Sequence, residues 1–427
     1  MSTKTQRFSL VGILIWIICG SFFLYEFLLR TVVGTFEHEI MNSLNIGLVV
    51  FGIISSSAYQ IAYGFMQLPV GFLTARFGLK KAGLFAALLC GIATFLFGMS
   101  TGAFSAISFR VLMGIGSAFG FICVLVAVYD WIPRKHIGLF IGLSQFIGTL
   151  GPMAAGAPLS LVESKGLATW NTVFYILGVV GVVIAILFFL FVRNNDRRED
   201  PTDVTIIQSK EPILKSLPKI LARKETWFIA LFSATVYFSI EFFSENEGKT
   251  FIQTYGYSAD FSALMITLTW LGYGIGCPLL GFISDRIKRR RTVMIGASLT
   301  CVTGLSCMFY LTAIEPMLII GCLLLGLGAA GQSLGFATIA EECQSQYVPA
   351  GLGFNNAILM LMTAISAPAL GFLLSAISGS GGTTQADYHI MFTVVLALSA
   401  LSVFISTFLI RETYCKPQRE IHVVKRN

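Results

Sequence analysis

The chain is built almost entirely from long apolar stretches separated by short polar turns. Each stretch is long enough to cross the hydrocarbon core of a bilayer, which takes about 20 residues of helix. Charged residues make up only 12% of the chain, whereas soluble proteins carry about 25%. The sequence therefore predicts an all-α membrane protein with twelve transmembrane helices, at residues 9–36, 46–73, 80–100, 103–131, 137–161, 169–193, 226–248, 258–284, 292–312, 316–340, 350–378 and 387–411.

Positive charges fall mainly in alternate turns between these stretches. Lys and Arg are retained on the cytoplasmic side of short loops, and placing the N-terminus inside puts 25 of the 29 basic residues in the cytoplasm. We therefore predict that both termini are cytoplasmic and that the protein lies in a plasma membrane, most simply a bacterial inner membrane. The net charge of +7 does not indicate a nucleic-acid partner, because the basic residues are scattered over several loops rather than gathered on one face. Lipid headgroups are the expected partner.

The two halves of the chain repeat one another, which is the sequence signature of a duplicated architecture. Three features recur 210 to 212 positions later: Gly71–Arg76 as Gly281–Arg286, Gly114 and Gly116 as Gly326 and Gly328, and Pro158 as Pro368. The polar, proline-containing segment between the halves reads as a linker. We predict an N-terminal six-helix bundle at 1–193, a cytoplasmic linker at 194–224 and a C-terminal six-helix bundle at 225–427, related as parallel repeats.

Two motifs resemble those of the major facilitator superfamily. The stretch from Gly71 to Lys81 is similar to the family's signature loop between the second and third helices, and Arg110–Gly116 resembles its fourth-helix motif. Ala75 stands where that loop usually has an acidic residue, whereas the second copy has Asp285. The resemblance covers about residues 9–411. It implies alternating access to a central cavity lined by helices one, four, seven and ten.

Ionisable residues inside the apolar stretches point to the transport route, because a charge at mid-bilayer costs about 2.5–3.5 kcal/mol on insertion scales. In helix one, Glu26 and Arg30 are four residues apart and share a face. In helix seven, Tyr237, Glu241 and Glu245 repeat that spacing. We expect Arg30 to hold an anionic group of the solute, while Glu26 and Glu241 bind a cationic group or carry a coupling proton. The alternative is an internal Glu26–Arg30 ion pair.

These considerations give three sets of candidate residues. The expected substrate-binding residues are Tyr25, Arg30, Tyr63, Tyr237 and Glu241, and the expected proton-coupling residues are Glu26, Glu241 and Glu245. The expected gating residues are Arg76, Asp130, Asp285 and Arg286 near helix ends and Arg110 inside helix four. Arg110 has an alternative reading, in which it pairs with a neighbouring helix or snorkels toward an interface.

The sequence contains no nucleotide-binding Gly-rich loop, catalytic triad spacing or metal-ligand cluster, so neither an enzyme nor a cofactor or metal site is expected. We predict a monomeric secondary active transporter for a small organic anion, amino acid or peptide-like solute, working by proton-coupled import. The alternatives are an exporter of amphipathic or siderophore-like compounds and a non-transporting sensor with the same fold.

Overall fold

The computed structural model describes residues 9–133, 137–194, 218, 220–343, 347–378 and 383–416. All regular structure in these ranges is helical. The helices of the N-terminal half are α1 (Leu10–Thr35), α2 (Glu37–Leu44), α3 (Leu48–Gly52), α4 (Ala58–Gly98), α5 (Ala103–Ser117), α6 (Gly120–Trp131), α7 (Ile137–Ala155), α8 (Ala157–Ser164) and α9 (Trp170–Phe191). Those of the C-terminal half are α10 (Lys224–Glu245), α11 (Gly248–Gln253), α12 (Ala259–Ile287), α13 (Arg290–Tyr310), α14 (Glu315–Ala329), α15 (Gln332–Glu342), α16 (Val348–Ile377) and α17 (Gln385–Phe404).

Several crossings are made of two consecutive helices. One turn of π-helix, Ile53–Ser57, joins α3 to α4, and α4 bends at Gly78, so it contributes to both the second and the third crossing. Eleven spans within the described residues are long and apolar enough to cross a membrane, and α7 with α8 forms the remaining crossing. The predicted fold of twelve helices in two six-helix repeats is confirmed. Most of the predicted linker at 194–224 lies outside the described residues.

The internal repeat of the sequence reappears in the packing. Gly114 in α5 packs directly on the carbonyl oxygen of Tyr59, and Gly326 in α14 packs directly on that of Thr269. A Cβ atom at either glycine would collide with this oxygen. Tyr59 and Thr269 are themselves 210 positions apart. The paired glycines therefore serve the same close helix approach in each half, which suits a lipid environment where packing drives helix association.

We call the face of the molecule on which α1 begins the N-terminal face, and the opposite face the distal face. The hydrogen bonds and ion pairs described between the two halves concentrate on the distal side of Arg30. In this region Ser57 donates a hydrogen bond to the carbonyl oxygen of Ala364, and Thr267 donates one to that of Met153 at 3.1 Å. Ser164 donates to Asp260 at 2.7 Å nearer the distal face. The halves are thus closed against each other distally.

Candidate functional site

A cavity of about 360 Å³ lies between the two halves. This volume counts all space between the lining atoms, including space open to the surroundings. Its walls come from both halves, and they include the helices that the sequence resemblance implied together with crossings two, five, eight and eleven. The lining residues are Phe23, Phe27, Arg30, Tyr63, Phe121, Gln145, Tyr237, Tyr273, Gln332, Phe336, Asn356 and Met360.

Arg30 forms the distal end of this cavity and is fully buried. Its Nη1 atom lies 3.0 Å from Oε1 of Glu241, and its Nε atom lies 3.5 Å from Oε1 of Glu245. Its Nη2 group donates a hydrogen bond of 2.7 Å to the hydroxyl of Tyr237. All three partners lie in α10 of the other half, and Nη1 also lies 3.6 Å from Sδ of Met360 in α16. The ring of Phe27 covers it, with 4.1 Å between Cζ of Arg30 and the ring centroid.

The two glutamates have further partners that fix them in place. Thr363 donates a hydrogen bond of 2.6 Å to Glu241. Glu245 accepts hydrogen bonds from Ser56 at 3.2 Å and from Gln60 at 3.1 Å, both of them in the N-terminal half. Glu245 therefore connects the halves twice, through Arg30 and through the second crossing. Among the described residues, these carboxylates and Arg30 form the charged centre of the interface.

Glu26 does not pair with Arg30. Its carboxylate accepts a hydrogen bond of 3.2 Å from the hydroxyl of Tyr59, and its side chain packs against Gly120, where a Cβ atom would leave too little room. Within the described part of the chain Glu26 has no ion-pair partner, so the alternative of an internal ion pair in helix one is wrong for this conformation. The side chain of Glu26 reaches Tyr59 of its own half, whereas the longer side chain of Arg30 reaches α10 of the other half.

Two other predicted residues also lie away from the cavity. The hydroxyl of Tyr25 donates a hydrogen bond of 2.8 Å to the carbonyl of Leu177, so its ring is buried between α1 and α9 rather than facing a solute. Arg110 is fully buried and donates to four backbone carbonyls of the first two crossings, at 2.7–3.4 Å. Two of these carbonyls, of Ile54 and Ser55, belong to the π-helical turn. Arg110 thus holds an irregular segment inside its own half.

Tyr63, Tyr237 and Glu241 do come together with Arg30, because Tyr63 lines the same cavity. Sequence reasoning did not select the phenylalanines and amides of the lining. A signal for part of this set was present: Phe23, Phe27 and Arg30 follow one another at intervals of four and three residues, which places them on one face of a helix.

The other predicted gating residues lie at the N-terminal face. Asp285 pairs with Arg290 at 2.8 Å, and Arg290 also pairs with Glu341 at 2.8 Å, all within the C-terminal half. Arg76 and Arg286 are exposed, and Asp130 is half-buried near the end of α6. Among the residues that the structure describes, the contacts of the Asp285 cluster join helices of one half.

A second group of buried charges lies near the distal face and was not selected from the sequence. Glu37 follows α1, and Glu247 follows α10, and their carboxyl groups face each other across the two halves. Tyr388 donates a hydrogen bond of 3.0 Å to Glu247. Lys249 pairs with Glu163 of the N-terminal half and donates a hydrogen bond of 3.2 Å to the carbonyl of Thr35. Burial raises the pKa of Glu247 to about 7, and burial together with the nearby Glu247 charge raises the pKa of Glu37 well above its usual range.

Comparisons with known proteins agree with this architecture. The Major Facilitator Superfamily profile matches residues 12–246 and 248–425. The chain therefore belongs to this family, which confirms the resemblance seen in its motifs. Its relatives are named as transporters, which confirms the expectation of a transporter family rather than an enzyme.

The named relatives are distant. The chain is 23% identical to a probable sulfoacetate transporter of Cupriavidus necator over 55% of this chain and 56% of that protein. It is 22% identical to a hexuronate transporter of Bacillus subtilis over 62% of this chain and 63% of that one. With a probable L-galactonate transporter of Escherichia coli the identity is 23%, over 85% and 82%. The chain thus spans between about half and two thirds of the first two relatives.

Solved structures share the fold. A bacterial homologue of the human lysosomal transporter Spinster, in an inward-facing and unoccupied conformation, aligns with a TM-score of 0.72 at 15% identity, over 94% of this chain and 97% of that one. A D-xylose–proton symporter aligns with a TM-score of 0.73 at 14% identity, over 95% and 99%. At these identities the likeness concerns the fold alone.

Proposed function

We propose that the protein imports a small organic anion together with protons, by alternating access of the central cavity to the two sides of a membrane. The observation that carries this proposal is the contact of Arg30 with two carboxylates of the opposite half at the closed end of the cavity. The distribution of basic residues supports a cytoplasmic N-terminal face. The cavity would then open to the cytoplasm, with the distal face closed.

The charges of this site make anion binding depend on protons. Arg30 with ionised Glu241 and Glu245 carries a net charge of −1, which repels an anion. A pair of unit charges 4 Å apart interacts by about 4 kcal/mol at an effective dielectric constant of 20. Protonation of both glutamates changes the net charge to +1 and frees the planar guanidinium for a carboxylate. The solute and the protons would therefore bind and cross together.

The same contacts account for the return of the empty carrier. A buried charge that loses its partner is costly, so an unpaired Arg30 would resist burial when the halves close around it. Once solute and protons have left, Glu241 and Glu245 can pair with Arg30 again. An amino acid or a peptide-like solute would fit the same logic through its carboxylate. The sugar-acid and sulfoacetate transporters among the relatives support an anionic solute.

Proteoliposomes loaded with purified protein provide the test. Uptake of labelled carboxylates, sugar acids and amino acids is measured with and without an acidic exterior, and with a protonophore as the control. We expect accumulation of an anion only with the pH gradient. Uptake that does not depend on the pH gradient would contradict proton coupling. Solute movement opposite to the proton flow would favour the alternative of an exporter.

A further inference from the structure

We infer that the cavity selects amphipathic carboxylates, with an aryl or branched alkyl body, over polyhydroxylated sugar acids. This inference rests on the proposed function, because it takes Arg30 as the partner of the anionic group. It adds a description of the rest of the solute, drawn from how apolar and polar groups are distributed along the cavity.

Four phenylalanines form a continuous wall beside Arg30. The ring centroids of Phe23 and Phe27 are 5.1 Å apart, those of Phe23 and Phe121 are 5.4 Å apart, and those of Phe121 and Phe336 are 6.4 Å apart. Phe336 belongs to the C-terminal half and the other three to the N-terminal half. The wall therefore spans the interface between the halves, as a solute in the cavity would.

The wall and the charge are separated along the axis of α1. Phe23 lies seven residues before Arg30, which corresponds to about 10 Å along a helix that rises 1.5 Å per residue. A carboxylate held at Arg30 would therefore point the rest of its molecule along the rings of Phe27 and Phe23, toward the N-terminal face. That distance suits a body of one aromatic ring or a short branched chain.

The polar side chains of the lining are partly engaged with one another. The amides Gln145, Gln332 and Asn356 and the hydroxyls of Tyr63, Tyr237 and Tyr273 line the cavity. The hydroxyl of Tyr237 already accepts a hydrogen bond from Arg30, and that of Tyr273 donates one of 3.0 Å to the side-chain carbonyl of Gln332. A hexuronate or galactonate carries several hydroxyl groups, and those that face phenyl rings find no partner. Each buried hydroxyl left without a partner costs about tenfold in affinity. An apolar body gains from the same contacts.

The test compares solutes that share a carboxylate and differ in the body. Full-length protein in detergent is titrated with phenylacetate, 3-methylbutanoate, galactonate and glucuronate, with thermal stabilisation as the readout, and uptake of the same compounds into proteoliposomes is measured in parallel. Phenylacetamide is the neutral control for the charge. We expect phenylacetate or 3-methylbutanoate to bind at least tenfold more tightly than either sugar acid, and phenylacetamide to bind weakly.

A pair of phenylalanine variants connects this preference to the wall. Phe336→Ala should weaken phenylacetate binding about tenfold and leave the binding of the sugar acids within about twofold. Phe372→Ala is the matched control, since Phe372 is 66% exposed on α16, and it should bind both classes like the parent.

The outcomes separate the two proposals. Tighter binding of galactonate or glucuronate would overturn the inference and leave the anion importer standing. Failure of every carboxylate to bind, or equal binding of phenylacetate and phenylacetamide, would count against the anion importer itself. The comparison of solutes on the parent protein decides the inference even if Phe336→Ala does not fold.

Discussion

Arg30 meets a tyrosine hydroxyl and two carboxylates with three different nitrogen atoms, so both its charge and its shape are used. Lysine keeps the charge but presents a single ammonium group, which cannot reproduce planar, two-pronged binding of a carboxylate. We expect Arg30→Lys to weaken binding of the transported anion at least tenfold, measured by thermal stabilisation in detergent. Binding equal to that of the parent would make Arg30 a structural residue.

Glu241→Gln tests the proposed role of Glu241 in proton coupling. A neutral amide cannot compete with the solute for Arg30, and it cannot release a proton, so anion binding should persist while accumulation against a gradient is lost. Exchange of labelled for unlabelled solute separates these effects, because exchange does not require the carrier to return empty. Gradient-driven accumulation by Glu241→Gln at the parental level would exclude this residue from coupling.

Arg110 carries a different kind of role. Its guanidinium satisfies carbonyl oxygens on two crossings, including two in the π-helical turn, and hydrogen bonds from a charged group contribute about 1.5–3 kcal/mol each. We predict that Arg110→Lys lowers the thermal unfolding temperature in detergent and the yield of folded protein. The residual folded fraction should still bind solute. A variant as stable as the parent that fails to transport would restore the gating role expected from its motif.

At the scale of helices, each half contributes a side-chain hydroxyl that bonds backbone groups left without a helical partner in the other half. Pro368 has no N–H group to offer the carbonyl of Ala364, and Ser57 donates to that carbonyl instead. Thr267 accepts a hydrogen bond of 2.8 Å from the N–H of Ala157 and donates to Met153. Ser57 and Thr267 are 210 positions apart, so the two contacts are related by the internal repeat.

These contacts exist only while the distal face is closed, so their loss should favour opening. We predict that Thr267→Val raises distal accessibility about fivefold to thirtyfold, because it removes the hydrogen bonds with Ala157 and Met153, which contribute about 1 kcal/mol each. The readout is labelling of a cysteine placed at the buried Ser160 by an impermeant maleimide, in a protein without other cysteines. Thr300→Val is the control, because the hydroxyl of Thr300 bonds only within its own helix. An unchanged labelling rate for Thr267→Val would show that this contact does not stabilise the closed distal face.

For the whole molecule, closure of the distal face should depend on pH. It buries Glu37 and Glu247 together, with Lys249, Glu163 and Tyr388 around them. Because burial raises the pKa of Glu247 to about 7, the closed state holds its proton more tightly than an open, hydrated state would. Closure is therefore stabilised below pH 7 and loses stability as the pH rises through that value.

The Ser160 cysteine measures this effect directly. Its labelling should rise severalfold from pH 6 to pH 8, relative to a cysteine at the exposed Lys165 that corrects for the reactivity of the thiol itself. Glu247→Gln should flatten this dependence. A slope that survives in Glu247→Gln would assign the pH dependence to another group.

The orientation of the molecule is a separate prediction, based on the position of its basic residues. An impermeant thiol reagent applied to intact cells should fail to label a cysteine placed at Ser209, in the predicted cytoplasmic linker, and should label it after the cells are permeabilised. Labelling from outside would reverse the orientation, and with it the direction in which the cavity opens.

The sequence by itself determined the twelve helices, their parallel repeat and the family, because each of these depends on local properties. A helix in lipid must satisfy its own backbone and present an apolar surface, so hydropathy alone finds it. A repeated close approach of helices leaves repeated glycines, as at Gly114 and Gly326. The charged residues of helices one and seven could also be read from the sequence, because a charge inside an apolar stretch is a local feature.

Only the tertiary structure decided which side chains meet. Spacing along helix one made Glu26 the natural neighbour of Arg30, yet the partners of Arg30 include Tyr237, which is 207 positions away. The rotation of α1 about its axis is set by packing against both halves at once, including the space left by Gly120 for Glu26. The same packing turned Tyr25 and Arg110 away from the cavity and brought Phe336 of one half next to Phe121 of the other. A linear pattern holds no information on such rotations, because they minimise the free energy of contacts between helices far apart in the chain.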